Sequence, residues 1–313
     1  MQLGHPRRAV VGFAALAVLA GPVRSATASG IEYPLHFQQF AAAALTGTLA
    51  GAVLLTLSLL RGEAMLGRRQ WLALGMLLVP QWLGTPLSVP LIRAVPWLHE
   101  TPWGVPFLLA LAAPLWLGLL AALELVTVDV PRAVVGAGIA GIGAALLLVP
   151  VDAYRVAPDM APVLAAHVAL GILVVFSWAF AVSRLVGAGK LAVAGSFLLL
   201  SGAGQAAFSL LLERPHWQAV DWHDVWAPLL VAAAVLGTFW WLWFWLLEHL
   251  SLAAFCMNSL AAWTAALLPG FAMFGFLSLR GDAALAIALG AIAVAVRARV
   301  AEEQPLALGL RGG

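Results

Sequence analysis

The sequence predicts an all-α polytopic membrane protein, with ten transmembrane helices arranged as two inverted five-helix repeats. Three observations lead there. Of 313 residues, 63% are hydrophobic and 10% charged, and the mean hydropathy is +1.00, which excludes an ordinary water-soluble globule. The apolar residues gather into ten stretches, each long enough or nearly long enough to cross a hydrocarbon core of about 30 Å. The second five stretches repeat the pattern of the first five. With lipid as the solvent, a spanning segment must satisfy its own backbone groups, and no strand alternation is present, so the segments are expected to be helices.

Taken in order, the first segment, Ala9–Ala26, follows Arg7-Arg8 and ends at Ala26-Thr27-Ala28. That pattern also spells a secretory signal with an A-x-A cleavage site, but completing the repeat favours its retention. The next segments are Leu35–Leu60, Gln70–Val95, Pro102–Val126 and Pro131–Pro150, then Pro162–Val186, Lys190–Leu212, Val225–Glu248, Ser251–Leu277 and Asp282–Val300. Short links such as Arg61-Gly62-Glu63, Gly187-Ala188-Gly189-Lys190 and Arg280-Gly281-Asp282 make neighbours antiparallel hairpins. The expected domains are a first repeat over 1–150, a linking loop over 151–161, a second repeat over 162–300 and a tail over 301–313.

Charge sets the orientation. With the N-terminus in the cytoplasm, eleven of the sixteen basic residues fall on that side: Arg7, Arg8, Arg61, Arg68, Arg69, Arg132, Arg184, Lys190, Arg297, Arg299 and Arg311. The bias predicts both termini inside. The basic residues sit in short loops rather than one patch, so nucleic acid is not an expected partner. Cys256, the single cysteine, can form no intrachain disulfide and is expected to behave as a small hydrophobe.

Aligning the halves puts Trp71 to Thr85 opposite Asp224 to Thr238, with Leu83-Gly84-Thr85 on Leu236-Gly237-Thr238, and brings Pro114 onto Pro269. Five helices is an odd number, so a second copy enters the membrane from the opposite face, as in the inverted repeats of secondary transporters. The stretch Leu236 to Asp282 has an aromatic run before Leu246-Leu247-Glu248, a proline at Pro269, and Gly281-Asp282 a little beyond it. Together with Pro114 to Thr127 and Gly136 to Gly143, it resembles the EamA family of the drug/metabolite transporter superfamily. Where that family usually has Glu, Thr127 stands here, with Glu124 one turn earlier. The resemblance implies a permease or exporter of small metabolites, such as amino acids or amphipathic solutes, in a bacterial cytoplasmic membrane. It also implies a central cavity lined by segments 1, 3, 4, 6, 8 and 9.

Polar groups inside lipid are expensive and are functional candidates. Gln81, Thr85 and Ser88 share one face of the third segment, either lining a polar path or bonding neighbouring helices. In the sixth, His167 shares a face with Trp178 and lies about 7 Å into the helix; it reads as a titratable group or as packing. Six aromatics crowd the eighth, where Trp241 and Trp245 share a face with Thr238 and Glu248, while Trp240, Trp243 and Phe244 point elsewhere. An aromatic wall suits amphipathic or cationic solutes, and packing or an interfacial belt is the alternative. Asn258 reads as a reader of polar solutes or as a helix-to-helix bond. Pro114 and Pro269, at matching places, are candidate gating breaks. Gly136, Gly138, Gly141 and Gly143 permit close helix packing, within the chain or in a homodimer.

The His216 to Asp224 stretch carries metal-type ligands at spacings that fit no tight site, so neither a metal nor a cofactor is expected. An enzyme would need a convergent nucleophile, base and acid or metal set. The chain has no paired mid-span carboxylates and no H-E-x-x-H. Small-molecule substrate and lipid bilayer are therefore the expected partners of a non-enzyme, and a non-transporting scaffold or sensor is the rival class.

Overall fold

The computed structural model describes residues 39–94, 112–126, 130, 132–147, 161–185, 187–214, 222–250 and 279–297, and within 252–264 residues 252–253, 255–257, 260–261 and 264. Their regular structure is helical: α1 Gln39–Leu60, α2 Arg68–Ala94, α3 Ala113–Ala122, α4 Arg132–Leu147, α5 Ala161–Leu185, α6 Lys190–Leu212, α7 Trp222–His249 and α8 Leu279–Arg297.

The all-helical class holds, but the ten-span expectation does not. Among the described residues four helices are long and apolar enough to cross a membrane: Phe40–Leu60, Val168–Leu185, Lys190–Leu212 and Val225–His249. That set is compatible with a membrane protein, and it does not make two repeats of five spanning helices. The reasons lie in length and interruption. α3 has 10 residues and α4 has 16, about 15 and 24 Å at the helical rise, both short of a bilayer core. α2 has 27 residues, but it opens on Arg68-Arg69-Gln70 and carries Pro80, Gln81, Pro86 and Pro90, which dilute its apolar character. The first expected segment, the linking loop and the tail lie outside the described residues, as does most of the ninth segment.

The chain forms two compact units, each drawing on both halves of the sequence. One contains the described parts of Leu19–Trp82 and Arg184–Trp245, the other those of Leu83–Ser183 and Leu246–Gly313. In the first, α1 and α6 run antiparallel with their backbones in contact. A Cβ on Gly51 would lie 2.7 Å from the Leu199 nitrogen and 2.8 Å from the Gly195 oxygen, and one on Gly202 would lie 2.8 Å from the Thr48 nitrogen. Small residues allow this approach, which lets dispersion contacts and weak backbone contacts hold apolar helices together. α7 lays Val225, Leu229 and Ala232, at helical spacing, on Ala42 of α1. Higher up, Trp240 and Phe244 of α7 pack on Phe197 of α6, with ring centroids at 4.3 and 5.5 Å.

The α1–α6 pair is closed at both ends by an exchange of carboxylates. α1 ends in a left-handed turn at Gly62, φ 68°, where the Gly62 N–H donates to Leu59 and the Glu63 N–H to Ser58. This C-terminal motif needs a residue without a Cβ penalty. It sets Glu63 against the start of α6, which has no capping side chain of its own, and Glu63 Oε2 accepts from the Ala192 N–H at 3.1 Å. At the other end Glu213, just past α6, accepts from the Phe40 N–H at 2.9 Å, the Ala41 N–H at 2.8 Å and the Ser209 hydroxyl at 2.7 Å. Each helix thus supplies the anion that satisfies the open amides of the other.

In the second unit α4 packs on both α3 and α8. The four glycines of α4 separate by role: Gly138 lies against Pro114 and Leu115, Gly141 against Leu260, and Gly136 and Gly143 face open space. α3 stops where Glu124 takes φ 57°, its N–H donating to Ala121 and the Leu125 N–H to Leu120. This is the same terminating motif as at Gly62, made with a residue that carries a Cβ. Glu124→Gly is therefore expected to stabilise the fold by about 1 kcal/mol, the cost of a side chain in the left-handed region. A rise in unfolding temperature checks it.

Candidate functional site

α6 is apolar over most of its 23 residues, yet one stripe of it is polar. Ser201, Gln205, Ser209 and Glu213 follow at four-residue spacing, all buried, at 7%, 8%, 1% and 7% exposure. Residues four apart share a helix face, so the stripe runs about 18 Å along the helix. Its lower end, Ser209 and Glu213, is the cap already described. Its upper end meets α2, where Gln81 Nε2 donates to Ser201 Oγ at 2.7 Å.

Beside that bond sits Trp82. A Cβ at Gly204 would strike the indole, so the ring edge is seated on the α6 backbone. Its Nε1–H is buried and has no hydrogen-bond acceptor among the described residues. A buried donor left unbonded costs about 1–3 kcal/mol. The result is a polar centre of an amide, a hydroxyl and an unmet indole donor, held between α2 and α6.

Gln81 is thus brought into a polar centre, in company that sequence reasoning did not single out: Ser201 and Trp82. The four-residue spacing from Ser201 to Glu213 was the available signal. Trp241 and Trp245 are half-buried on α7 in the same unit. Of the aromatic run, Trp243 and Phe244 are the buried members, packed edge to face at 4.9 Å, so most of these rings serve packing. Trp178, in the other unit, meets Phe255 edge-on at 5.4 Å. Thr85 and His167 stand on α2 and α5 with side chains outside the described set, and Asn258 and Pro269 lie outside the described residues.

Pro114 is buried in the first turn of α3. There its missing N–H breaks no helical bond, and it serves as a packing surface for Gly138. Cys256 is free and buried. No group of three His, Cys, Asp or Glu side chains able to hold a metal occurs among the described residues.

No family model matches the chain, and no curated protein matches it. Among solved structures, a crystal structure described only as that of a protein is similar to it, with a TM-score of 0.67 and 20% identity over 96% of this chain and 100% of its own. At that identity, what the two share is the fold.

Proposed function

We propose that the protein is a membrane carrier for a small solute, akin to the metabolite permeases and exporters of the EamA family, resident in a bacterial cytoplasmic membrane with both termini inside. The observation that carries this reading is the polar centre of Gln81, Ser201 and Trp82, part-buried between α2 and the membrane-length α6, with the Trp82 Nε1–H itself buried. Hydrogen-bonding groups in an apolar environment are costly, and a donor with no acceptor is costlier still unless a passing solute supplies one. A carrier also gains from leaving such a group unmet, because a site fully satisfied by the protein would have nothing to offer its substrate. Transport further requires that the solute bind its two facing states with similar affinity, since a ligand shifts an equilibrium only by its differential affinity.

Purified protein in liposomes, challenged with amino acids, sugars, nucleosides and cationic solutes under several ion gradients, tests this directly. Trp82→Phe is expected to keep or slightly raise thermal stability, since it removes an unbonded buried donor, while lowering the transport rate about ten-fold, the worth of one hydrogen bond of about 1.4 kcal/mol. Gln81→Ala is expected to change solute preference with folded yield retained. No transport of any class tested, or variants that lose yield while the surviving protein keeps the parental rate, would assign the centre to packing and leave a scaffold.

A further inference from the structure

The α3–α4 hairpin carries a cleft that the proposed transport site does not use. Its walls are Gly118, Ala121 and Ala122 of α3 and Val135, Gly136 and Ile139 of α4, closed at one end by Val130 and Arg132, with a volume of about 520 Å³. That falls within the usual range of about 300–1,000 Å³ for small-molecule sites. The two glycines on its walls do different work. A Cβ on Gly118 would meet Val135 at 2.6 Å, so Gly118 is what lets α3 close on α4, whereas a Cβ on Gly136 would meet nothing within 4 Å. Gly136 is the hollow itself. Ala122, Gly136 and Ile139 are exposed, so the cleft opens outward along the side of the hairpin.

Its chemistry is divided along its length. Seven of the eight described lining residues are aliphatic or glycine, and the remaining one is Arg132 at the mouth. Arg132 is exposed and its guanidinium has no ion pair or hydrogen bond among the described residues. Glu124, in the turn that ends α3, does not line the cleft, and Asp129 lies outside the described residues. An apolar channel with one unpaired cation at its end fits a molecule with a hydrocarbon tail and an anionic head. Arg132 begins α4 immediately before its apolar run Ala133-Val134-Val135, so the one cation stands at the end of an apolar stretch. The guanidinium fork suits phosphate oxygens.

We propose that this cleft is a site for an anionic phospholipid, its phosphate on Arg132 and one acyl chain along Gly118, Gly136 and Ile139. The proposal rests on the membrane reading given above, in which anionic lipids act on basic residues at the membrane surface.

Titration of the full chain in non-ionic detergent with phosphatidylglycerol, with phosphatidylcholine and with inorganic phosphate, followed by native mass spectrometry and thermal shift, tests it. The expected result is at least ten-fold tighter binding of phosphatidylglycerol than phosphatidylcholine, with no shift from phosphate alone. Arg132→Gln is expected to reduce the preference to near unity. Gly136→Leu, whose side chain enters open space, is expected to weaken both lipids ten-fold with folded yield and Cys256 protection intact. Equal binding of the two lipids by the parent, an unchanged preference in Arg132→Gln, or full binding by Gly136→Leu would overturn it; a shift from phosphate alone equal to that from the lipid would exclude a lipid as the occupant. Recovery of the protein from cells in the soluble fraction would instead sink the membrane reading itself.

Discussion

Gly51→Leu is expected to abolish the folded protein. The side chain would begin within 2.8 Å of two backbone atoms of α6, and backbone cannot swing aside as a rotamer can. Accommodating it means parting α1 from α6, which also opens both carboxylate caps. Ordinary overpacking costs about 1–3 kcal/mol, and the loss of buried caps adds a similar amount, together comparable to much of a domain's net stability of about 5–15 kcal/mol. Folded yield by size-exclusion chromatography measures it. Gly136→Leu makes the same chemical change at an open position and serves as the control; equal yields from the two would show that the α1–α6 contact is not a constraint.

Glu213→Ala is expected to destabilise the protein by about 2–4 kcal/mol, because it strands a part-buried and a buried backbone donor at the start of α1 and the Ser209 hydroxyl. Glu213→Gln keeps an acceptor and is expected to recover about half of that loss. Hydrogen exchange supplies a local readout, since the amides of Phe40 and Ala41 lose their acceptors and those of the α1 interior do not. Unchanged exchange at Phe40 and Ala41 in the alanine variant would mean that the carboxylate does not hold that end of the helix.

The helical class and the approximate places of α1, α5, α6 and α7 were legible because each is a long apolar run bounded by Gly or charge. The number of spans was not, because hydropathy reads apolar character without reading continuity: the described α3 has only 10 residues, and α2 is broken in composition by Pro80 and Gln81. Gln81 was legible as an amide in an apolar segment. Its partner Ser201 lies 120 residues away, a distance no local pattern reports. Glu213 read as the first residue of a loop, and only the fold turns it toward Phe40. The four α4 glycines read alike in the sequence, and neighbours supplied by α3 and by Leu260 distinguish two packed from two open. In the aromatic run the helical phase grouped Trp241 with Trp245, yet Phe197 on α6 selects Trp240 and Phe244 instead.

The two carboxylate caps also impose an order in time. Glu63 leaves the ribosome 129 residues ahead of Ala192, so α6 emerges to find its cap waiting. Phe40 and Ala41 precede Glu213 by 173 and 172 residues. At about 5–20 residues per second, the start of α1 therefore stands uncapped for roughly 10–35 s while the intervening chain is made. During that interval nothing else described in the fold supplies its anion, and its open amides are available to water, to lipid headgroups or to an insertion factor. Translation speed between Ala41 and Glu213 thus governs how long the nascent protein is exposed at one defined point.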